Sequence, residues 1–413
     1  MKKWNSHPKH TLICTVGTSL FYPNLIGLPS PKNYESWLNK QPSQDRAYLS
    51  PEFVTNLKKN WTESQQKSTG DGCADLIIRA LQSIAQLLTQ LPGTTRLCGA
   101  EINSIADLIT REYCTSNCKL YFCHSATESG RNIANILAHY YRRNDRAVVT
   151  HEIEDLQDDD PKRFRTKGLR NLAKTIGQIV RESGSEFCAI NATGGYKAQI
   201  AIAVLMGQAL GIPVYYKHER FSEIVAFPPM PISLDFELWQ HNSGLLEALQ
   251  RNDVLNWDDF AEDWDEKMEV MVERVEVDGQ IYIELSPTGQ IFHDTFKNRF
   301  DASKNECLPP PIDPPRKIKP SLTDHGWGNA REPILNFSRT ITDQCPYVRQ
   351  CRTHYWNPDL SQATRFRLQS EQIEGIFSNG SWTVKFYVDT SANTSGQRAA
   401  CIADLNQRLA NWI

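Results

Sequence analysis

No stretch of this chain is apolar for long enough to cross a membrane. The most apolar run, Ile200–Val214, is interrupted by Gln208 and Gly211 and reaches Pro213 near its end, short of the roughly 20 residues a spanning helix needs. No membrane anchor is expected. A secretory signal is missing too, because MKKWNSHPKHTLICTVGTS has charges but neither a long apolar core nor a small-residue cleavage site, so the expected compartment is the cytoplasm. Paired CxxC elements are absent, and eleven Cys are scattered through 413 residues. That odd number fits buried reduced thiols better than a disulfide framework. Cys114, Cys118, Cys123 and His124 lack the spacing of a zinc site, and no metal is expected. Neither a Walker A loop nor GxGxxG occurs where a first strand meets its helix, which makes ATP and NAD poor candidates and leaves no expected cofactor.

What is present is an ordinary soluble composition, 40% hydrophobic and 23% charged. The chain is too long for a single core, so it should fold as two or three domains. The net charge of −3 hides an uneven distribution. Residues 1–233 carry 27 Lys/Arg against 21 Asp/Glu, residues 234–301 carry 5 against 17, and residues 308–413 carry 12 against 9. Two mildly basic ends flank a strongly acidic middle.

Over residues 1–233, the runs HTLICTVGTS, LYFCHSA, RAVVTHEI, EFCAINATGG and PVYYKHE read as buried strands. They alternate with helical periodicity over 128–143, 162–184 and 196–210. That rhythm predicts an α/β domain with a doubly wound parallel sheet. Residues of about 22–117 break it and are expected to form a mostly helical insertion, clearest over 74–91. Residues 234–307 change pattern. Helices are expected at 236–250 and 257–272, then a β-hairpin around Asp278-Gly279, so this acidic connector resembles a winged helix. Its charge should repel DNA. Residues 308–320, LPPPIDPPRKIKP, predict an extended linker. Residues 321–413 then predict a small α+β domain, with helices at 330–341 and 397–412, strands at 364–369, 372–377 and 381–390, and a turn at Asn379-Gly380.

Three strand-to-helix junctions of the first domain carry small polar residues. They are Gly17-Thr18-Ser19, Ser125-Ala126-Thr127-Glu128-Ser129-Gly130, and Asn191-Ala192-Thr193-Gly194-Gly195-Tyr196-Lys197. In a doubly wound sheet such junctions share the carboxyl edge of the strands, where ligands bind. Glycine permits close backbone approach, helix starts favour phosphate, and Lys197 adds charge, so an anionic ligand is expected. Taken singly, the first two loops also suit plain helix capping.

TVGTS, SATESG and above all INATGGYKA resemble the CRISPR-associated Rossmann-fold (CARF) sensor domains, over roughly the first 230 residues. The resemblance implies a homodimer whose paired rims bind a cyclic oligoadenylate, most commonly cyclic tetra-adenylate. It assigns ligand contact to Gly17, Thr18, Ser19, Ser125, Ala126, Thr127, Glu128, Asn191, Thr193, Gly194, Gly195, Tyr196 and Lys197. Some such sensors also degrade their own ligand, with Thr193 and Lys197 the matching helpers here.

A CARF sensor implies an effector. Arg349 and His354 have the spacing of a HEPN nuclease motif, although the Asn357-Pro358 step ends any helix there. The layout from Ala330 onward instead resembles RelE-like mRNA interferases, with WTVKFYV standing where those toxins carry a characteristic strand. This second resemblance implies a metal-independent ribonuclease that cuts ribosome-bound mRNA, with contact to a ribosomal protein a further expectation. Candidate phosphate ligands are Arg339, Arg349, Arg352, Arg365, Arg367 and Lys385, and candidate proton carriers are His325, His354, Tyr355 and Tyr387. Alternation sets Arg365 with Arg367, and Lys385 with Tyr387, on common strand faces. The six favoured catalytic residues are Arg365, Arg367, Lys385, Tyr387, Arg352 and His354. A winged-helix transcription regulator and a stand-alone ring nuclease are the alternatives.

Overall fold

The computed structural model describes residues 7–65, 73–143, 145–157, 159–218, 223–230, 234–323 and 326–413. They fall into two compact units, Met1–Ile232 and Ser233–Ile413.

The first unit is built on six strands: β1 (Lys9–Thr15), β2 (Cys114–Ser125), β3 (Val148–Ile153), β4 (Cys188–Asn191), β5 (Val214–Lys217) and β6 (Ile224–Phe227). Their order is β3-β2-β1-β4-β5-β6. All neighbours pair in parallel except β5 and β6. This mixed α/β sheet, dominated by parallel strands, is consistent with a Rossmann-like order. The five expected strands are present. The sixth, β6, was not expected, because four half-exposed edge residues followed by two prolines carry no alternation to read.

Helices α1 (Pro51–Ser64), α2 (Cys73–Leu88) and α3 (Gly99–Thr110) make up most of the insertion. The chain then continues through α4 (Glu128–Arg142), α5 (Leu169–Ser183) and α6 (Lys197–Leu210). Local chemistry sets their ends. Ser50 accepts the Phe53 amide at 3.2 Å just ahead of Pro51, Thr127 accepts that of Gly130 at 3.1 Å, and α6 stops at Gly211 in the left-handed region. Phe53, Leu57 and Trp61 of α1, Ile84 and Leu88 of α2, and Ile102 and Ile105 of α3 share one buried cluster with Leu12 of β1 and Ile133 of α4. The insertion is therefore a layer of the domain, covering a sheet face that would otherwise be wet. It is shorter than expected, since residues 114–117 already belong to β2.

The second unit opens with α7 (Phe236–His241) and α8 (Ser243–Asn252), followed by a three-stranded sheet ordered β7-β9-β8. Its strands are β7 (Val254–Asn256), β8 (Val272–Val277) and β9 (Gln280–Leu285). The hairpin turns on Asp278 and Gly279, both at positive φ as a tight two-residue loop requires. The helix expected at 257–272 does not form. Three short 3₁₀ turns replace it, because Asn256 and Asp265 bind the amides of Asp258 and Lys267 and so compete with a continuous helix. Conversely, residues read as the tail of the hairpin begin α9 (Pro287–Cys307), capped by Ser286.

The rest is α10 (Arg331–Gln344), β10 (Val348–Asn357), β11 (Arg365–Gln369), β12 (Gln372–Ser378), β13 (Thr383–Thr390) and α11 (Ser395–Arg408), with an antiparallel sheet ordered β10-β13-β12-β11. Val384, Phe386 and Val388 turn their apolar face to Phe337 and Ile402. Gly375 is required, since a Cβ there would lie 2.2 Å from the Phe386 ring. The prolines of 308–320 do not span free solvent. Ile312, Ile318 and Ser321 donate to the carbonyls of Pro346, Arg349 and Cys351, which lays the stretch along β10. The acidic connector and the sheet domain also share a core, in which Ala400 and Ala403 of α11 meet Trp239, Phe296 and Phe300.

Asn406 ties the pieces of this unit together. It is fully buried, accepts the Phe366 amide at 2.8 Å and donates to the Phe366 carbonyl and to Ser243 Oγ. Asn406→Ala orphans a buried donor and acceptor and should lower stability by about 3 kcal/mol, measured by urea unfolding of the whole chain.

Candidate functional site

Strands β1 and β4 are neighbours where the strand order reverses, so the loops that follow them meet. The Thr15 hydroxyl donates to the Gly194 carbonyl. A Cβ on Gly194 would stand 2.7 Å from Thr15 O and 2.8 Å from Gly17 N. Both glycines are thus demanded by the contact of the two loops, whatever either binds. Gly195 sits at φ +98, a conformation that favours glycine.

Each expected contact residue can now be placed. Gly17 spends its amide on Glu101 Oε1 at 2.7 Å. Asn191 is 1% exposed. Its amide donates to Ser104 Oγ at 2.8 Å and its carbonyl oxygen accepts Thr193 Oγ1–H at 2.6 Å. The Gly17 amide and the Asn191 side chain are therefore engaged in internal ties between the loops and α3. The Ser125 and Thr127 hydroxyls bond each other, Thr127 caps α4, and the Ala126 carbonyl accepts from Arg131, so helix capping accounts for the polar groups of that loop. Glu128 is exposed on the first turn of α4. Tyr196 donates its amide to Gln199 Oε1 and sets its ring edge-on to Phe164. Thr18 and Lys197 are exposed, Lys197 as the first residue of α6.

Ser19 and Thr193 line a cavity of about 330 Å³ together with Lys217, Arg96, Asn24 and Asn103. Its size is within the range of small-ligand pockets. The last four were missed because three come from the insertion and Lys217 lies past the recognisable loop. Lys217 is paired with Asp107 at 3.1 Å. Glu101 behind the rim is 1% exposed, with Oε2 unpartnered. Burial pushes its carboxyl up to about 6, and the Gly17 amide and Ser19 offset only part of that.

In the second unit, cross-strand register sets Arg352, Tyr387, Glu374 and Arg367 in one row, and Tyr355, Lys385, Ile376 and Arg365 in the next. The four favoured residues of β11 and β13 thus share a polar face. A bulge between Thr353 and Tyr355 adds His354, whose ring stacks on Tyr387 at 4.2 Å. His354 Nε2 lies 2.8 Å from Glu374 Oε1, and Glu374 Oε2 accepts from Arg367 Nε at 2.6 Å. Arg367 also pairs with Asp263.

Arg365 is 3% exposed. It donates to the Asp259 and Ala363 carbonyls and lies over the Phe260 ring at 4.4 Å. Arg365 and Arg367 are held by the acidic connector instead of facing open solvent, so the structure shows them engaged in ion pairs and carbonyl contacts. Arg352 is half exposed and bound to Asp389 through two hydrogen bonds of 2.8 and 2.9 Å. Lys385 Nζ stands 5.2 Å from the Tyr355 ring. Arg339 is on α10, against the opposite face of the sheet, and Arg349 is exposed on β10. His325 lies outside the described residues. Glu374 was missed because a lone Glu between Ile373 and Gly375 has no sequence signature.

Residues 96–230 match the model of a family described as CRISPR-associated protein (Cas_APE2256). The matched segment is thus similar to CRISPR-associated proteins, and it takes in the end of the insertion and the sheet from β2 onward. No curated protein matches the chain. Among the described residues no helix is long and apolar enough to cross a membrane.

Two outcomes follow from the buried charges. The folded state holds the Glu101 proton more tightly than the unfolded chain, so stability falls as pH rises from about 4.5 through about 6, and the full cost is present at pH 7. Glu101→Gln keeps an acceptor for Gly17 and should gain roughly 2 kcal/mol at pH 7, with thermal melts of variant and parent converging near pH 4. Arg365→Ala uncovers Asp263 and empties the packing over Phe260. It should cost about 4 kcal/mol, read by urea unfolding.

Proposed function

We propose that the chain is a sensor joined to an effector ribonuclease of CRISPR defence. In this reading Met1–Ile232 is a CARF-type, Rossmann-like sensor of a cyclic oligoadenylate, with cyclic tetra-adenylate the expected ring. Ser233–Ile413 combines a winged-helix-like connector with a RelE-like sheet that cuts ribosome-bound mRNA. The observation that carries it is the family match over a segment containing the Thr193–Lys197 loop, at the point where two glycine-bearing loops meet. A homodimer is supported by α6, which is apolar almost all round and leaves Ala201 and Leu205 exposed.

The chemistry needs no metal. The ribose 2′-oxygen attacks phosphorus and the P–O5′ bond breaks, leaving a 2′,3′-cyclic phosphate and a 5′-hydroxyl. The 2′-hydroxyl proton passes to solvent and O5′ takes one from His354, while Lys385 and Arg352 face the charge that develops on the phosphate. A HEPN arrangement is disfavoured because Arg349 and His354 lie on strand β10, not on a helix. A DNA reader is disfavoured by acidic 3₁₀ turns where a recognition helix would stand. The ligand acts through a difference in affinity between the inactive and active arrangements.

Reporter translation in a cell-free extract tests this. Addition of cyclic tetra-adenylate to the intact chain should stop synthesis and leave cut mRNA. Lys197→Ala should raise the messenger concentration required by tenfold or more, and His354→Ala should slow cutting by about 100-fold or more, leaving a measurable residual rate, while messenger binding is kept. Inhibition indifferent to the messenger would end the sensor reading, and free RNA cut as fast as translated mRNA would end the RelE reading.

A further inference from the structure

We infer that Glu374 is the positioning residue for the proton donor, and that Arg367 acts through it rather than on a phosphate. This rests on the ribonuclease reading above. Glu374 stands at the middle of β12, 2% exposed, directly opposite both Tyr387 and Arg367 in the sheet register. Its two oxygens serve two different groups, Oε1 at 2.8 Å from His354 Nε2 and Oε2 at 2.6 Å from Arg367 Nε. A carboxyl group this deep is tolerable only when paired, and Arg367 supplies the permanent opposite charge. Asp263 holds Arg367 from its other side, so Arg367 is fixed and cannot swing towards substrate.

The consequence falls on His354. Its ring is clamped between the Tyr387 face at 4.2 Å and the Glu374 oxygen, with 29% of the side chain still exposed for a substrate atom to reach. A buried carboxyl oxygen 2.8 Å from one ring nitrogen, with the Tyr387 face against the ring, fixes the orientation in which the imidazole meets O5′. The electrons of the breaking P–O5′ bond stay on O5′, the proton comes from His354, and water returns it afterwards.

The test uses the full chain with cyclic tetra-adenylate and ribosomes programmed with an mRNA whose cut site has been mapped. A second mRNA carries sulfur in place of the bridging 5′-oxygen at that site, because a thiolate leaves without a proton. Glu374→Gln should slow single-turnover cutting of the oxygen substrate on the order of 100-fold, slow the sulfur substrate only a few-fold, and leave KM unchanged. Glu374→Asp should recover part of the loss. Glu374→Gln combined with His354→Ala should be no slower than His354→Ala alone, as expected when one residue works through the other. Equal losses on both leaving groups, or additive losses in the double variant, would overturn the assignment. Where Glu374→Gln does not fold, Glu374→Asp carries the same comparison. An unmodified chain that cuts neither mRNA removes the reaction and the assignment together, whereas an active chain with additive losses removes the assignment alone.

Discussion

A charge taken out of water must be met by an opposite charge or by well-placed donors, and this constraint decides how the Ser233–Ile413 unit is built. β11 brings two arginines into its interior, at 3% and 8% exposure. Neither could stay there alone. The irregular turns of the connector exist where they can deliver Asp263 and the Asp259 carbonyl to them, and β12 delivers Glu374 from within the sheet. The same contacts that neutralise the arginines therefore dock the connector on the sheet domain. They leave the β10 and β13 side of the polar face, with Arg352, His354, Tyr355, Lys385 and Tyr387, uncovered by the connector.

The Met1–Ile232 unit obeys the constraint differently. Glu101 is buried with no cation beside it, so its carboxyl is held partly by the proton and partly by the Gly17 amide. An anionic ligand reaching for that amide would have to displace a carboxylate first. In the proposed reading recognition is thereby shifted outward, to the exposed Thr18 and Lys197 and to the cavity lined by Ser19, Thr193, Lys217 and Arg96. Since α3 carries Glu101 and Asn103, the insertion belongs to the rim as much as to the core.

Periodicity made the repetitive parts legible. The strands of the first sheet and the helices after them are long apolar patterns closed by caps, and the meeting of two loops at the β1–β4 edge followed from topology alone. The failures have local causes. Side chains of Asn256 and Asp265 stole backbone amides from an expected helix. The start of α9 was absorbed into the hairpin because its buried face includes Gln290, His293 and Asp294, which blur an apolar stripe. The site suffered most. Strand alternation does place Arg365, Arg367, Lys385 and Tyr387 on one face, but alternation says nothing about what covers that face, and the covering acids lie some hundred positions earlier in the chain.

That burial also bears on how RNA could reach the open side. Proteins that gather free RNA do so with unpaired basic surface, whose field draws the backbone in. Here the 234–301 segment carries 17 acidic against 5 basic residues. Of the basic residues beyond it, Arg365, Arg367, Arg352, Arg398 and Arg408 each already hold a carboxylate. The other seven Lys/Arg of residues 308–413 are spread over the linker, α10 and the sheet, and in the proposed reading an mRNA already held by another body needs no dense basic surface to capture it. In the proposed reading that spread suits a substrate presented to this face by another body rather than drawn in from solution.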